Sequence, residues 1–258
     1  MADGIGDSLL SRRRLVAGLV ATAATTVAAG AAALPRSAVK SWDISTDVLI
    51  AGSGAAGICA AMEARKQGAQ VLLIESLARF GGSSSMSGGV VYAGGGTALQ
   101  KALNVSDSVE QMYLFLSQAG AIHPPLDKIQ LYCEESAAHF DWLVAQGIPY
   151  SEKLTLAKGL PMGDESLYFS GTELAWPARD MATPAPRGHV PGVPGMNGGR
   201  RLMEALLTNA EALGVRLRAG VRADRLIIES DGRIAGAMVT VDGEQLAIRV
   251  RRGIVLAC

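Results

Sequence analysis

Three glycines and one glutamate are spaced in a way that suits the binding of a dinucleotide. Gly52, Gly54 and Gly57 follow one short apolar run, and Glu75 ends the next. The first glycine permits a tight turn, the second lets the backbone approach a pyrophosphate, and the third lets a helix lie close to a sheet. Free amides at the start of that helix attract phosphate, and the carboxylate can accept hydrogen bonds from ribose hydroxyls. The same carboxylate disfavours the 2′-phosphate of NADP.

A second cluster of glycine and serine follows Glu75, from Arg79 to Gly89. Backbone amides in such a loop can cradle phosphate, and bare glycines let a flat ring or a sugar chain lie against the main chain. The composition also fits a flexible linker, but the position directly after the acid favours a cofactor loop. The predicted cofactor-binding residues are Gly52, Ser53, Gly54, Ala55, Ala56, Gly57, Glu75, Ser76, Gly81, Gly82, Ser83, Ser84, Ser87, Gly88 and Gly89.

The elements that must position these residues are visible in the apolar pattern. Asp47–Ala51 is typical of a buried strand, Ile58–Gln67 of a helix and Gln70–Ile74 of a second strand. Strand, glycine turn, helix, strand and acid is the order of a dinucleotide-binding βαβ unit, which predicts an α/β fold around a parallel sheet. A purely structural glycine turn in another α/β protein is the alternative.

The composition argues against several other classes of protein. The 258 residues are 49% hydrophobic, enough for a buried core, and carry no net charge, so no nucleic-acid partner is expected. Cys59, Cys133 and Cys258 form no CxxC pair, which indicates neither a disulfide framework nor a zinc site. The three histidines are too scattered to predict a metal cluster.

The N-terminus has the pattern of a targeting segment. Arg12–Arg14 precede a mildly apolar stretch that runs to about Ala33, and this pattern resembles a twin-arginine export signal. It implies export across the bacterial cytoplasmic membrane by the twin-arginine machinery, after folding with a noncovalent cofactor. A membrane anchor and a cytoplasmic protein remain the alternatives. Residues 1–40 are therefore set apart from the predicted fold.

The two glycine clusters and Glu75 resemble the FAD-binding segment of the fumarate reductase/succinate dehydrogenase flavoprotein family. The interval from Gly81–Gly82 to Gly88–Gly89, with Arg79–Phe80 before it, is most similar to the 3-ketosteroid dehydrogenases. The resemblance implies a Rossmann-like FAD-binding domain with a parallel sheet, a helical insertion and a three-stranded β-meander. The loop contains no histidine, so FAD is expected to bind noncovalently.

The resemblance also implies a reaction. An FAD-dependent oxidoreductase of this kind transfers hydride between flavin N5 and a CH–CH bond next to a carbonyl, with a small molecule such as a steroid as substrate. The resemblance covers nearly all of residues 47–258, and the family's substrate-capping domain would follow Cys258, so we expect an amino-terminal half that is incomplete at its C-terminus. Fumarate reductase-like reduction of unsaturated carboxylic acids, an NAD-linked dehydrogenase and an inactive FAD-binding fragment remain alternatives.

The rest of the chain divides into three further segments. Residues 41–110 hold the βαβ unit and the Gly/Ser loop, residues 111–199 a helical insertion with pocket loops, and residues 200–258 the remainder of the FAD-binding domain with the meander. A helix is predicted over 127–146, with its inward face at Ile129, Cys133, Ala137, Phe140 and Val144. Gly253–Ala257 is predicted as a separate, buried final strand.

Loops rich in Pro and Gly between Ile148 and Gly199 are where a substrate pocket could form. The resemblance places an active-site tyrosine in about this region, and Tyr168 matches it best. Arg187 and His189 resemble an Arg-x-His pair of fumarate reductase relatives and could line the pocket, although a structural hydrogen bond is an equal alternative.

Overall fold

The computed structural model describes residues 32–119, 123–157 and 159–258. Within these ranges the strands are β1 Leu34–Pro35, β2 Ile44–Ala51, β3 Val71–Ile74, β4 Val91–Tyr92, β5 Leu154–Thr155, β6 Leu167–Tyr168, β7 Gly188–His189, β8 Arg216–Arg218, β9 Val221–Ile228, β10 Ile234–Val241 and β11 Glu244–Leu256. The α-helices are α1 Ala55–Lys66, α2 Gly82–Met86, α3 Ala98–Ala102, α4 Val109–Leu116, α5 Leu126–Ala145, α6 Ala178–Met181 and α7 Gly198–Ala212. None of these helices has the length and hydropathy that a membrane span requires.

A seven-stranded sheet, in the order β1-β9-β10-β11-β2-β3-β8, positions the two glycine turns. β2 pairs in parallel with β3 and β11, and β3 pairs in parallel with β8. All four side chains of β3 are buried, as expected for a central parallel strand that is covered on both faces. β9, β10 and β11 pair in antiparallel fashion. The predicted parallel sheet and the three-stranded meander are confirmed.

The end of the meander differs from the prediction. β11 is one strand of 13 residues, with a register shift between Val250 and Gly253, where two separate strands were predicted. β11 pairs with β10 over residues 244–249 and with β2 from Ile248 to Leu256, and the irregularity lies within the pairing with β2. The prediction that this final stretch is buried was wrong for Val255 and Leu256, which are exposed.

The fold also begins earlier than the predicted boundary at residue 40. Leu34 pairs in parallel with Ile227 of β9, and Val39 is buried beside that strand. These apolar side chains cover the edge of the meander, so part of the segment assigned to the export signal belongs to the sheet. Residues 1–31, which carry the arginines of the predicted signal, lie outside the described residues.

Helices α1 and α7 pack on one face of the parallel sheet, with Ile58, Leu202 and Leu206 against Ile50. The helix predicted over 127–146 is confirmed as α5, but its inward face is rotated. The buried positions are Cys133, Ser136, Phe140 and Leu143, whereas Val144 is exposed. These buried residues are three or four positions apart, which is the ordinary spacing along one face of a helix. The predicted face shares Cys133 and Phe140 with it and differs at the other positions.

There is a second, four-stranded sheet in the order β4-β7-β6-β5, and its strands β5, β6 and β7 lie within the region predicted as loops. Each of its strands has two residues, which is too short for an alternating apolar pattern. The sheet joins β4, from the predicted 41–110 segment, to strands of the predicted 111–199 segment. It therefore fixes the loops that precede α7.

Candidate functional site

A cavity of about 510 Å³ opens where β2 and β3 end. Ligands of open α/β sheets bind at the carboxyl ends of the strands, so this is the expected side of the sheet. The cavity walls come from the first glycine turn, the second glycine turn, the end of β3 and the start of β9. The lining residues are Ala51, Gly52, Ser53, Gly54, Ala55, Ala56, Ile74, Glu75, Ser76, Gly82, Ser83, Ser84, Val221, Arg222, Ala223, Ala257 and Cys258.

The first turn can be built only with glycine at two of its positions. Gly52 has φ +107°, and a Cβ there would lie 2.5 Å from the carbonyl oxygen of Ala257. A Cβ at Gly57 would lie 2.0 Å from the carbonyl oxygen of Gly52. The absence of these side chains lets α1 approach the end of β2, with Gly54 as its N-cap and no acidic residue in its first turn. The amides at the start of α1 are thereby directed at the cavity.

The Glu75 carboxylate lies against this turn and is almost fully buried. Its Oε2 accepts hydrogen bonds from the Ser53 amide at 3.0 Å and the Ser53 hydroxyl at 2.5 Å. Its Oε1 accepts from the Leu77 amide at 3.0 Å and the Ser76 hydroxyl at 3.1 Å. Burial raises the pKa of Glu75, but these hydrogen bonds outweigh burial and hold the pKa below its usual value. The carboxylate is therefore ionised at neutral pH.

The second turn is in direct contact with the first. The Gly81 amide donates to the Ser53 hydroxyl at 3.0 Å, and the Ala55 amide donates to the Ser84 hydroxyl at 3.1 Å. A Cβ at Gly82 would lie 3.7 Å from Cα of Gly54, so little more than backbone separates the two turns. The structure thus brings together both glycine clusters and the acid between them.

Residues 47–258 match the FAD binding domain family over their whole length. The chain belongs to this family. The cofactor prediction of FAD is confirmed, and the NAD-linked alternative is disfavoured.

Relatives of known activity match this FAD-binding chain along most of its length. It is 35% identical over 208 residues to 3-oxo-5-alpha-steroid 4-dehydrogenase of Comamonas testosteroni, covering 78% of the chain and 38% of that protein. It is 29% identical over 260 residues to the acrylate reductase flavoprotein subunit of Shewanella woodyi, covering 96% of the chain and 46% of that subunit. The predicted resemblance to 3-ketosteroid dehydrogenases and fumarate reductase relatives is therefore confirmed.

A solved structure shares the fold. The crystal structure of 3-ketosteroid-delta4-(5alpha)-dehydrogenase from Rhodococcus jostii RHA1, in complex with 4-androstene-3,17-dione, superposes with a TM-score of 0.83 at 40% identity. The match covers 87% of this chain and 48% of that one. The chain thus spans less than half the length of these three relatives.

The residues of the cavity fit an FAD molecule. A Cβ at Gly54 would lie 3.5 Å from Ser84 Oγ, an ordinary van der Waals contact, and would occupy part of the space between the two turns. The start of α1 would hold the diphosphate, since its amides and dipole favour negative charge. Glu75 would hold the adenosine ribose, because an ionised carboxylate accepts hydrogen bonds from hydroxyl groups.

Five of the predicted cofactor-binding residues do not line the cavity, namely Gly57, Gly81, Ser87, Gly88 and Gly89. Gly57 and Gly81 instead support the two turns. The Ser87 carbonyl oxygen accepts a hydrogen bond from the Gly199 amide at 3.1 Å. A Cβ at Gly89 would lie 2.3 Å from the carbonyl carbon of Gly198. The end of the second loop thus packs on the start of α7.

Sequence reasoning missed the far wall of the cavity. Val221, Arg222 and Ala223 begin β9, and Ala257 follows β11. Arg222 is a cation at the rim and pairs with Asp224 at 2.8 Å. These positions carry no local motif. They reach the site through pairing between strands that are distant in sequence, of β3 with β8 and of β2 with β11.

Tyr168 lies on β6 of the small sheet and is 5% exposed. Burial, with a smaller contribution from the charge of Glu173, raises the pKa of its hydroxyl. The tyrosine is not among the residues that line the FAD cavity. Its role as the catalytic residue stays a prediction.

Arg187 and His189 are both 0% exposed. The Arg187 guanidinium donates to the Asp107 carboxylate at 2.9 and 2.7 Å. His189 Nε2 lies 2.9 Å from Thr97 Oγ1, and its Nδ1 lies 3.0 Å from the Arg187 carbonyl oxygen. Burial lowers the pKa of His189 to about 4, so the imidazole is neutral at physiological pH. These contacts tie β7 to α3 and to Asp107, and the predicted role in a substrate pocket stays a prediction.

Proposed function

We propose that the whole protein is an FAD-dependent oxidoreductase that transfers hydride between its flavin and a CH–CH bond next to a carbonyl, in the manner of 3-ketosteroid dehydrogenases. The observation that carries the proposal is the meeting of two glycine turns and an ionised Glu75 around one cavity. The steroid 4-dehydrogenase relative and the androstenedione-bound neighbour support a ketosteroid as the substrate class.

The residues of this chain contribute binding and orientation. Backbone amides at the start of α1 neutralise the diphosphate, and Glu75 fixes the ribose, so the reactive ring is held in one place. When bound, FAD supplies the hydride chemistry itself. The proposed noncovalent attachment rests on the sequence of the second loop, residues 79–89, which contains no histidine.

Reduction of unsaturated carboxylic acids is the second candidate, and the acrylate reductase relative is the observation in its favour. Such a reaction needs cations that clamp the substrate carboxylate. Of the cations in the pocket loops, Arg187 already holds Asp107 and is fully buried, whereas Arg179 is exposed and 3.7 Å from Asp180. Neither arginine lines the FAD cavity, and we keep the ketosteroid reaction as the first candidate on the strength of its relatives.

Tyr168 is our candidate for the group that exchanges a proton with the substrate. Burial raises the pKa of its hydroxyl, so the residue is protonated at neutral pH. In that form it would donate the proton that accompanies hydride addition to a double bond, and in the dehydrogenation it would accept the substrate proton after passing its own proton to another base. Replacement of Tyr168 by Phe keeps the ring in the small sheet and removes the proton. Loss of turnover with FAD still bound would support the assignment, and unchanged turnover would reject it.

We also propose export across the bacterial cytoplasmic membrane, on the strength of the paired arginines at residues 12–14. Fractionation of cells that express the wild type or an Arg12→Lys/Arg13→Lys variant tests this. Export of the wild type and cytoplasmic retention of the variant are expected. Equal distribution of the two would contradict the proposal.

The reaction is tested with the intact protein, purified with its flavin. Anaerobic incubation with a saturated 3-ketosteroid and an artificial electron acceptor should yield the unsaturated ketosteroid. A reduced dye with fumarate or acrylate tests the second candidate in a parallel assay. Steroid turnover without turnover of the acids would support the first proposal, and the reverse result would replace it with the second.

A further inference from the structure

A single buried side chain joins the three parts of the FAD cavity. Ser53 is 0% exposed, and its hydroxyl donates to Glu75 Oε2 at 2.5 Å while accepting from the Gly81 amide at 3.0 Å. The backbone amide of Ser53 donates to the same carboxylate oxygen at 3.0 Å. The first turn, the acid at the end of β3 and the start of the second turn therefore share one hydroxyl group.

We propose that Ser53 is a positioning residue for FAD, which acts through Glu75 by orienting the carboxylate toward the ribose and by tying the second turn to the first. This inference rests on the proposed FAD site and deepens it. An alanine at position 53 would leave the buried Gly81 amide without its acceptor and would remove one of the two Ser53 donors to Glu75. The carboxylate would keep its hydrogen bonds to the Ser53 and Leu77 amides and the Ser76 hydroxyl, but its Oε2 would be held by one donor instead of two.

The hydroxyl also affects the protonation of the acid. Ser53 stabilises the ionised form of Glu75, so its removal shifts the pKa of the carboxyl upward, in the same direction as burial. The charged or titratable side chains on the neighbouring elements are Arg218 of β8, Arg222 of β9 and Cys258 after β11. Within the described part of the chain, none of them is hydrogen-bonded to the Glu75 carboxylate.

The test measures FAD affinity of the intact protein by calorimetry after removal of its flavin. The variants are Ser53→Ala, Glu75→Ala and the double variant. The matched control is Ser136→Ala, because Ser136 is also buried and its hydroxyl accepts a hydrogen bond from the Gly94 amide at 2.9 Å. Neither Ser136 nor Gly94 lines the FAD cavity. We expect Ser53→Ala to weaken FAD binding about tenfold, as for loss of a hydrogen bond to a charged group. In the Glu75→Ala background the same change should have an effect of about twofold or less. The control should bind FAD like the wild type.

A pH series separates positioning from mere packing. Affinity for FAD should fall on acidification at a higher pH in Ser53→Ala than in the wild type, because protonated Glu75 accepts ribose hydroxyls less well. Unchanged affinity with an unchanged pH profile, or equal effects of Ser53→Ala with and without Glu75, would overturn the inference. Failure of the wild type itself to bind FAD would instead overturn the proposed function. If Ser53→Ala does not fold, Ser53→Cys keeps the volume with a weaker donor and is expected to shift the affinity and the pH profile in the same direction.

Discussion

The approach of α1 to β2 can be tested by adding one methyl group at Gly57. A Cβ there would lie 2.0 Å from the Gly52 carbonyl oxygen, whereas ordinary contacts begin near 3.4 Å. The start of α1 must therefore retreat by more than 1 Å, and overpacking of this kind costs about 1–3 kcal/mol. Alanine gains about 1 kcal/mol over glycine through helix propensity, which offsets part of that loss. We expect Gly57→Ala to lower the free energy of unfolding by about 1 kcal/mol and FAD affinity by about tenfold.

Urea denaturation and calorimetric titration with FAD measure the two effects. The matched control is Gly253→Ala on β11, where an added Cβ would meet no atom within 4 Å. The control should leave both quantities unchanged. A Gly57→Ala protein that is more stable than the wild type and binds FAD equally well would refute the reasoning, since helix propensity alone would then describe the site.

Two further predictions concern the buried polar side chains Asp107, Arg187 and His189 next to the small sheet. Asp107→Asn leaves the fully buried Arg187 guanidinium without its counter-charge and should cost about 3–5 kcal/mol in urea denaturation, while a cost below about 1 kcal/mol would contradict this. The pKa of His189 falls from 6.5 to about 4 on folding, so between these pH values only the unfolded state takes up a proton. The free energy of unfolding should therefore decrease by about 3 kcal/mol as pH falls from 6.5 to 4. That decrease should be absent from His189→Gln, and equal pH profiles of the two proteins would contradict it.

The sequence was sufficient to predict the half of the site that depends on local pattern. Gly52, Gly54 and Glu75 are read from one βαβ unit, because the turn, the helix start and the strand end follow one another along the chain. Helices α1 and α5 were also predicted, from the apolar pattern of residues 58–67 and 127–146. The inward face of α5 was wrong at Val144, since burial there depends on what covers the helix and not on the stripe alone.

The other half of the site depends on pairing between distant parts of the chain. Ala223 reaches the cavity because the start of β9 meets the end of β3, where the Val221 amide donates to the Glu75 carbonyl oxygen at 2.8 Å. Arg187 meets Asp107 across 80 positions of sequence. Neither arrangement leaves a periodic pattern. The small sheet was missed for the same reason, because strands of two residues are specified by their partners rather than by their own residues.

The central claim is that the two glycine turns and Glu75 hold one FAD molecule. A crystal structure of the intact protein with bound FAD tests it most directly. The account predicts diphosphate oxygens at about 3 Å from the amides that begin α1, and a ribose hydroxyl on the Glu75 carboxylate. A flavin whose diphosphate lies away from α1, or whose ribose makes no contact with Glu75, would contradict the account.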